Sequence, residues 1–281
     1  MAGGSAPAPV PLFLDANGRR LFAVRHAPQG GPRGSVLMLP PFAEEQNMSR
    51  RMAYLLGRAL AVAGFDFLLP DLTGTGESAG DFADARWPLW EEDARAARDW
   101  LRRESGTEPA ILGLRAGALL AVRLQRNAEV PGVPGRLLLW QPVASGQTTI
   151  NQFLRIRVAA GLMGGAKETT KELRDEWAAG RTVEVAGYEI HPGLAAEIDT
   201  LSLADMPPPP GIRTDWFEIG DDSRGPAPAS QRIVEAWAAA GARVSLSLCA
   251  GEPFWTIQET TVAPAMIDAT LAALNETADA A

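Results

Sequence analysis

Short apolar runs bounded by Gly and Pro alternate along this chain with longer stretches whose apolar residues recur every three to four positions. "LFAVRHAP" (21–28), "SVLMLP" (35–40), "FDFLLPDL" (65–72), "PAILGL" (109–114) and "GRLLLWQPV" (135–143) read as strands. "NMSRRMAYLLGRALAVAG" (47–64) has helical spacing and stops on Gly64, a residue suited to a helix C-cap. "WEEDARAARDWLRRESG" (90–106) predicts an amphipathic helix, acidic in its first turn and arginine-rich in its last, as the macrodipole favours. "AGALLAVRLQRN" (116–127) predicts another. The rhythm then breaks. Residues 146–208 read as helical and polar, with "KETTKELRDEWAAG" as the clearest helix, and end in the stiff, extended "MPPPPG" (206–211). Beyond it "TDWFEIGDD" (214–222) and "ARVSLSLCAG" (242–251) read as strands, and "SQRIVEAWAAAG" (230–241) and "APAMIDATLAALNETA" (263–278) as helices. Strand–helix alternation on both sides of one helical insert predicts an α/β fold. The expected architecture is a mostly parallel sheet with helices on both faces, one domain over 1–281, and a cap inserted at 146–208.

One strand–helix junction stands apart. "PAILGLRAGALLAV" (109–122) runs from a strand through Gly-x-x-x-Gly into an Ala/Leu-rich helix. That is the shape of a nucleophile elbow, whose G-x-S-x-G motif carries a serine at the tip of a sharp turn. Here the tip residue is Arg115. A guanidinium stays protonated in proteins and has no lone pair with which to attack.

The order of these motifs resembles the α/β-hydrolase fold over nearly the whole chain. "PDLTGTGESAGDF" (70–82) is similar to that family's D-x-x-G-x-G-x-S loop, "GLRAG" sits at the nucleophile position, "PPFAEE" (40–45) at the oxyanion loop and the insert at the cap position. A narrower likeness lies in "LPPFAEEQNMSRRM", "PDLTGTGESAGDFADARW", "GLRAGALLA", "WQPVASG", "KETTKEL", "VAGYEI" and "GEPFW". Together, from about residue 10 to 275, these resemble the exosortase A system-associated hydrolase type 2 family, encoded with bacterial exopolysaccharide and protein-sorting genes. The resemblance implies a role in that system, a type 1 hydrolase as a potential protein partner, and thioesters among the plausible substrates. It also locates the remaining triad positions. The acid falls at Asp221 and Asp222 in "EIGDD", and the base in "CAGEPFW" (249–255), where Glu252 stands and no histidine does. The chain's two histidines, His26 and His191, fall in an early strand and in the insert. Ordinary Ser-His-Asp hydrolysis is therefore not expected, since loss of triad members costs orders of magnitude.

Composition narrows the partners. The net charge of −8 argues against nucleic acid, and 46% apolar residues suffice for a large core. Cys249 is the only cysteine, so no disulfide framework forms. The N-terminus lacks a basic n-region, and no apolar run approaches the roughly 18 residues of a membrane span, so a cytoplasmic location is expected. "GTGESAG" (74–80) and "GGAKETTK" (164–171) lack the spacing of dinucleotide and phosphate loops, and no ligand cluster calls for a metal. No cofactor is expected.

The elbow region then reads as an anion receptor. The backbone N–H groups of Ala116 and Phe42 face the former oxyanion hole, with Arg115 beside them. Glu44, Glu45 and Glu252 share the rim, and the expected partner of Arg115 is Glu252 first, then Glu45, then Glu44. Trp140 and Trp255, with Phe42, Phe153 and Phe254, are expected to line an apolar pocket beneath the cap. Two roles for Arg115 stay open: a structural plug held by a carboxylate, or a receptor for an anionic group. Three functions follow: binding of an acyl, glycan or anionic ligand or of a partner protein; hydrolysis with Glu252 or Glu45 as base; or service as a non-catalytic interaction subunit.

Overall fold

The computed structural model describes residues 7–126, 135–163, 167–221, 223, 225–256 and 261–276. The chain opens with β1 (Val10–Ala16) and β2 (Arg19–His26), joined by Asn17 and Gly18 at φ 53° and 83°. Two such left-handed residues make the tight turn that matches strand twist. The order continues through β3 (Gly34–Leu39), α1 (Glu44–Val62), β4 (Phe65–Pro70), α2 (Trp87–Ser105), β5 (Ala110–Leu114), α3 (Gly117–Arg126) and β6 (Arg136–Trp140). An insert follows, made of α4 (Gly146–Met163), α5 (Thr170–Ala178), β7 (Val183–Val185), β8 (Tyr188–Ile190) and α6 (Pro192–Asp199). The chain then returns through β9 (Arg213–Ile219), α7 (Pro228–Ala239), β10 (Arg243–Cys249) and α8 (Pro264–Asn275).

Eight strands form one sheet in the order β1-β2-β4-β3-β5-β6-β9-β10. β2 pairs antiparallel with β1 and β4, and every other pairing is parallel. The strands β3 to β6 are covered on both sides, which explains their continuous apolar runs, whereas β10 at the sheet edge alternates and exposes one face. Alternate residues serve alternate faces. Leu37, Leu39 and Ile111 join a core with α2, α3 and α7, whereas Val36, Met38 and Leu112 join a second core with α1 and α8.

The insert is not wholly helical, contrary to the sequence expectation. β7 and β8 form an antiparallel hairpin around Ala186 and Gly187, at φ 52° and 85°. Leu154, Leu173, Trp177, Leu194 and Ile198 bury the insert's own apolar face, continuous with the main core. Its root is tight: a Cβ on Gly146 would lie 1.8 Å from the Ile198 carbonyl oxygen. Among the described residues, no helix is long and apolar enough to cross a membrane.

Candidate functional site

Two residues, Arg115 and Ala116, separate β5 from α3. The turn is sharp because the flanking glycines allow backbones to touch. A Cβ on Gly113 would lie 2.5 Å from Ala118 Cα, and one on Gly117 would lie 2.4 Å from the Leu39 carbonyl oxygen. Arg115 has φ 54°, a left-handed conformation that costs a non-glycine residue about 1–3 kcal/mol. Its N–H donates to the Trp140 carbonyl at 2.9 Å, which anchors the turn to β6.

The turn aims the Arg115 side chain at the first turn of α1. Arg115 Nε donates to Glu45 Oε1 at 3.1 Å, and Nη1 donates to the Gln141 carbonyl at 3.4 Å. The guanidinium carbon lies over the Trp255 ring, 5.3 Å from its centroid. Nη2 has no protein partner among the described residues. The two side chains are 14% and 24% exposed, so the pair is largely withdrawn from water. Glu45 Oε2 is buried and, among the described residues, has no hydrogen-bond partner. Burial pushes the Glu45 carboxyl above the ordinary glutamate range, against the opposing pull of the Arg115 charge and hydrogen bond.

Arg115 and Glu45 line a cleft of about 520 Å³. Its floor is apolar, from Phe42, Met48, Phe153, Ile156 and Trp255, while Glu44, Thr149, Gln152 and Thr256 supply polar groups. Phe42 and Phe153 meet edge-on with ring centroids 5.2 Å apart, joining the β3–α1 loop to α4 of the insert. The combination suits an amphipathic molecule with a polar head at Arg115. Neither histidine lines this cleft. His26 is buried against Tyr54 and Phe67, and His191 Nδ1 accepts from Gly193 N–H at 2.9 Å to cap α6. Cys249 is buried at the end of β10, where burial raises its thiol.

The structure brings Phe42, Glu44, Glu45, Arg115, Phe153 and Trp255 together. Ala116 lines a narrower pocket behind Phe42, with Trp90 and Leu120. Three expectations need correction. Glu252 is exposed and outside the cleft, because a turn in which its carbonyl accepts from Phe254 N–H at 2.8 Å directs Phe254 and Trp255 inward. Two large aromatic rings outcompete a carboxylate for the interior, and Glu45 takes the place expected for Glu252. Trp140 is fully buried in the core beneath α8, its Nε1 donating to Thr270 Oγ1 at 2.9 Å, and Phe254 packs beside it rather than in the pocket. Asp221 is exposed and accepts from the backbone N–H of Ser223 at 2.9 Å, away from the cleft. Asp222 lies outside the described residues.

Sequence reasoning missed Met48, Thr149, Gln152, Ile156 and Thr256. Thr149, Gln152, Phe153 and Ile156 follow an i, i+3, i+4, i+7 stripe on α4, a signal present in the chain. Gln141 was also missed. It holds φ 41°, its N–H donates to the Phe217 carbonyl at 2.7 Å, and its Oε1 accepts from Ile219 N–H at 2.7 Å. Those bonds fix the carbonyl that Arg115 reaches.

The strand order, the strained turn between β5 and α3 and the insert after β6 define an α/β-hydrolase fold. Solved structures of that fold align along nearly the whole chain. Est1E from Butyrivibrio proteoclasticus, seen with ferulic acid bound, has a TM-score of 0.65 at 15% identity, covering 95% of this chain and 97% of its own. An esterase domain from a Rhodothermus marinus protein gives 0.61 at 18% identity, with 97% and 98% covered. Mouse alpha/beta hydrolase domain-containing protein 10 gives 0.59 at 14% identity, with 96% and 98% covered. No family model matches the chain, and no curated protein matches it in sequence.

Proposed function

We propose that this protein binds a small amphipathic ligand in the cleft at the elbow and does not cleave esters by a serine mechanism. The observation that carries the reading is the ion pair of Arg115 with Glu45 inside that cleft. A serine hydrolase has its nucleophile at this turn and a histidine within reach. Here a guanidinium occupies the turn, and its remaining donor edge is suited to a polar head group. Phe42, Met48, Phe153, Ile156 and Trp255 offer the matching apolar wall for an acyl or aryl body, or for the face of a sugar. In this reading the insert acts as a cap, with α4 as its wall over the ligand. The motif resemblance supports a place in exosortase-linked exopolysaccharide metabolism, in the cytoplasm, with a type 1 hydrolase as a candidate partner.

A second reading rests on Glu45. A buried carboxyl held above its usual range, with one oxygen unpartnered, has the properties of a general base that activates water. A screen of esters, thioesters and glycans separates the two. Ligand-dependent stabilisation without turnover supports binding. Turnover lost in Glu45→Gln supports the carboxylate-based enzyme and overturns the binding role.

A further inference from the structure

The charges of the cleft restrict the ligand further, taking the binding role above as given. Among the described residues lining it, Arg115 is the one cation, against Glu44 and Glu45. Glu44 is engaged elsewhere: Tyr188 on β8 donates to its Oε2 at 3.1 Å, and Asn47 Nδ2 donates to the same oxygen at 3.2 Å. Among the described residues, Glu45 leans on Arg115 alone, through one oxygen. A ligand anion at the free guanidinium edge would place two carboxylates against one guanidinium. Two like charges that share one counter-charge do not both stay ionised when water is excluded; one takes up a proton.

We propose that the cleft binds a monocarboxylate with an apolar tail, and that each binding event draws one proton from solvent onto Glu45. The ligand carboxylate takes the Nη edge of Arg115, the tail lies along Met48, Phe153 and Ile156, and Trp255 covers the guanidinium face. Protonated Glu45 then stays buried as a neutral acid, and its Oε2 no longer sits as an unpaired ionic oxygen. Among the described residues, the surroundings leave Glu45 as the site of uptake. The elbow contributes only Arg115 as a charge. The α4 wall contributes Thr149 and Gln152, and residues 255–256 contribute Trp255 and Thr256, none of them titratable near neutral pH. On α1 itself, Arg50 lies 3.7 Å from Asp71 and belongs to a separate pair. The raised carboxyl of Glu45 agrees with this assignment, since a group already destabilised as an anion accepts a proton most readily.

Titration calorimetry with octanoate, repeated in phosphate and Tris buffers from pH 6 to 8, reads the proton directly. The expected result is close to one proton taken up per octanoate bound, with affinity weakening about tenfold per pH unit. Glu45→Gln should bind octanoate without proton uptake and with a flat pH profile, more tightly than wild type at pH 8. Arg115→Gln should lose octanoate binding. 1-Octanol, which has the tail and no charge, probes the apolar wall of the wild type, and circular dichroism with a cooperative melt serves as the folding control for both variants. Octanoate binding without proton uptake, or with the same pH slope in Glu45→Gln, overturns the proposal. Binding of 1-octanol but not octanoate overturns the carboxylate class while leaving the ligand-binding role intact. Failure of both probes overturns the proposal, and octanoyl ester turnover alongside that failure overturns the binding role as well.

Discussion

The Tyr188 hydroxyl of the insert donates a hydrogen bond to Glu44 Oε2 at 3.1 Å, which ties the β7–β8 hairpin to the first turn of α1. The same hydroxyl accepts from Asn47 Nδ2 at 2.9 Å, and the ring meets Phe82 edge-on at 5.0 Å. Burial and the Glu44 charge push the phenol up to about 12, so it stays protonated as a donor across the physiological range. Tyr188→Phe keeps the ring and removes the tie. The expected cost is about 1–2 kcal/mol, with faster hydrogen exchange along α6 and little change in α2. Unchanged exchange in α6 would show that ring packing alone holds the hairpin.

Arg115→Ala should leave Glu45 without its counter-charge. A fully buried broken pair costs about 3–5 kcal/mol; the partial exposure of this one reduces the expectation to about 2–3 kcal/mol. The loss should depend on pH. With Glu45 raised above its unfolded value, the penalty is small below that unfolded value, where the group is neutral in both states. It grows as pH rises through the folded value. Denaturant melts of Arg115→Ala at pH 4.5 and pH 8 should therefore diverge from wild type most at pH 8, and Glu45→Gln in the same chain should remove the divergence.

His26 sets a slope of the opposite sign. It is buried, its Nδ1 lacks a partner among the described residues, and burial with the Arg58 charge lowers its pKa. The unfolded chain thus takes a proton more readily, and stability falls as pH drops below about 6.5. His26→Leu, which suits the Tyr54 and Phe67 surroundings, should flatten that decline between pH 6.5 and 5 in urea melts. An identical slope in both proteins would assign the decline to other groups.

Gly117→Ala should be severe. The added methyl meets the Leu39 and Pro40 carbonyl oxygens at 2.4 and 2.5 Å, and neither is a side chain that can swing away. The expected cost is about 3 kcal/mol or more, at the top of the overpacking range. Gly106→Ala provides the comparison, since a Cβ there meets nothing within 4 Å and only its φ of 69° opposes the change.

Arg115→Ser should not create an esterase. The serine would arrive in a cleft that neither histidine lines, so among the described lining residues Glu45, now freed of Arg115, is the carboxylate left to take its proton, since Glu44 is held by Tyr188 and Asn47. Fluorophosphonate labelling should stay at background in wild type and in Arg115→Ser. Rapid labelling of the variant would identify Glu45 as a working base.

The centre of the main sheet was legible because strands buried on both faces, β3 to β6, write themselves as unbroken apolar runs between Gly and Pro. β1 was not, since Pro11 interrupts its run; Asn17-Gly18, a strong hairpin signal, passed unused. The β7–β8 hairpin was missed for a related reason: three-residue strands carry too few alternations to outweigh the helical spacing around them. At the site, the elbow, Arg115 and two of the three expected rim carboxylates, Glu44 and Glu45, were readable. The partner was not. Choosing Glu45 over Glu252 required knowing that Phe254 and Trp255 turn inward, and that depends on packing against Trp140 and α8, distant in sequence.

The elbow is held by clearances at positions 113 and 117 and by a main-chain bond from residue 115, none of which involves the side chain at 115. The tip is therefore a socket whose shape is independent of what is plugged into it. A lineage can exchange the chemistry displayed there in a single substitution while the scaffold stays the same. For the experimenter the same independence makes position 115 a mounting point: a cysteine placed there would carry a spectroscopic or crosslinking reporter into the cleft.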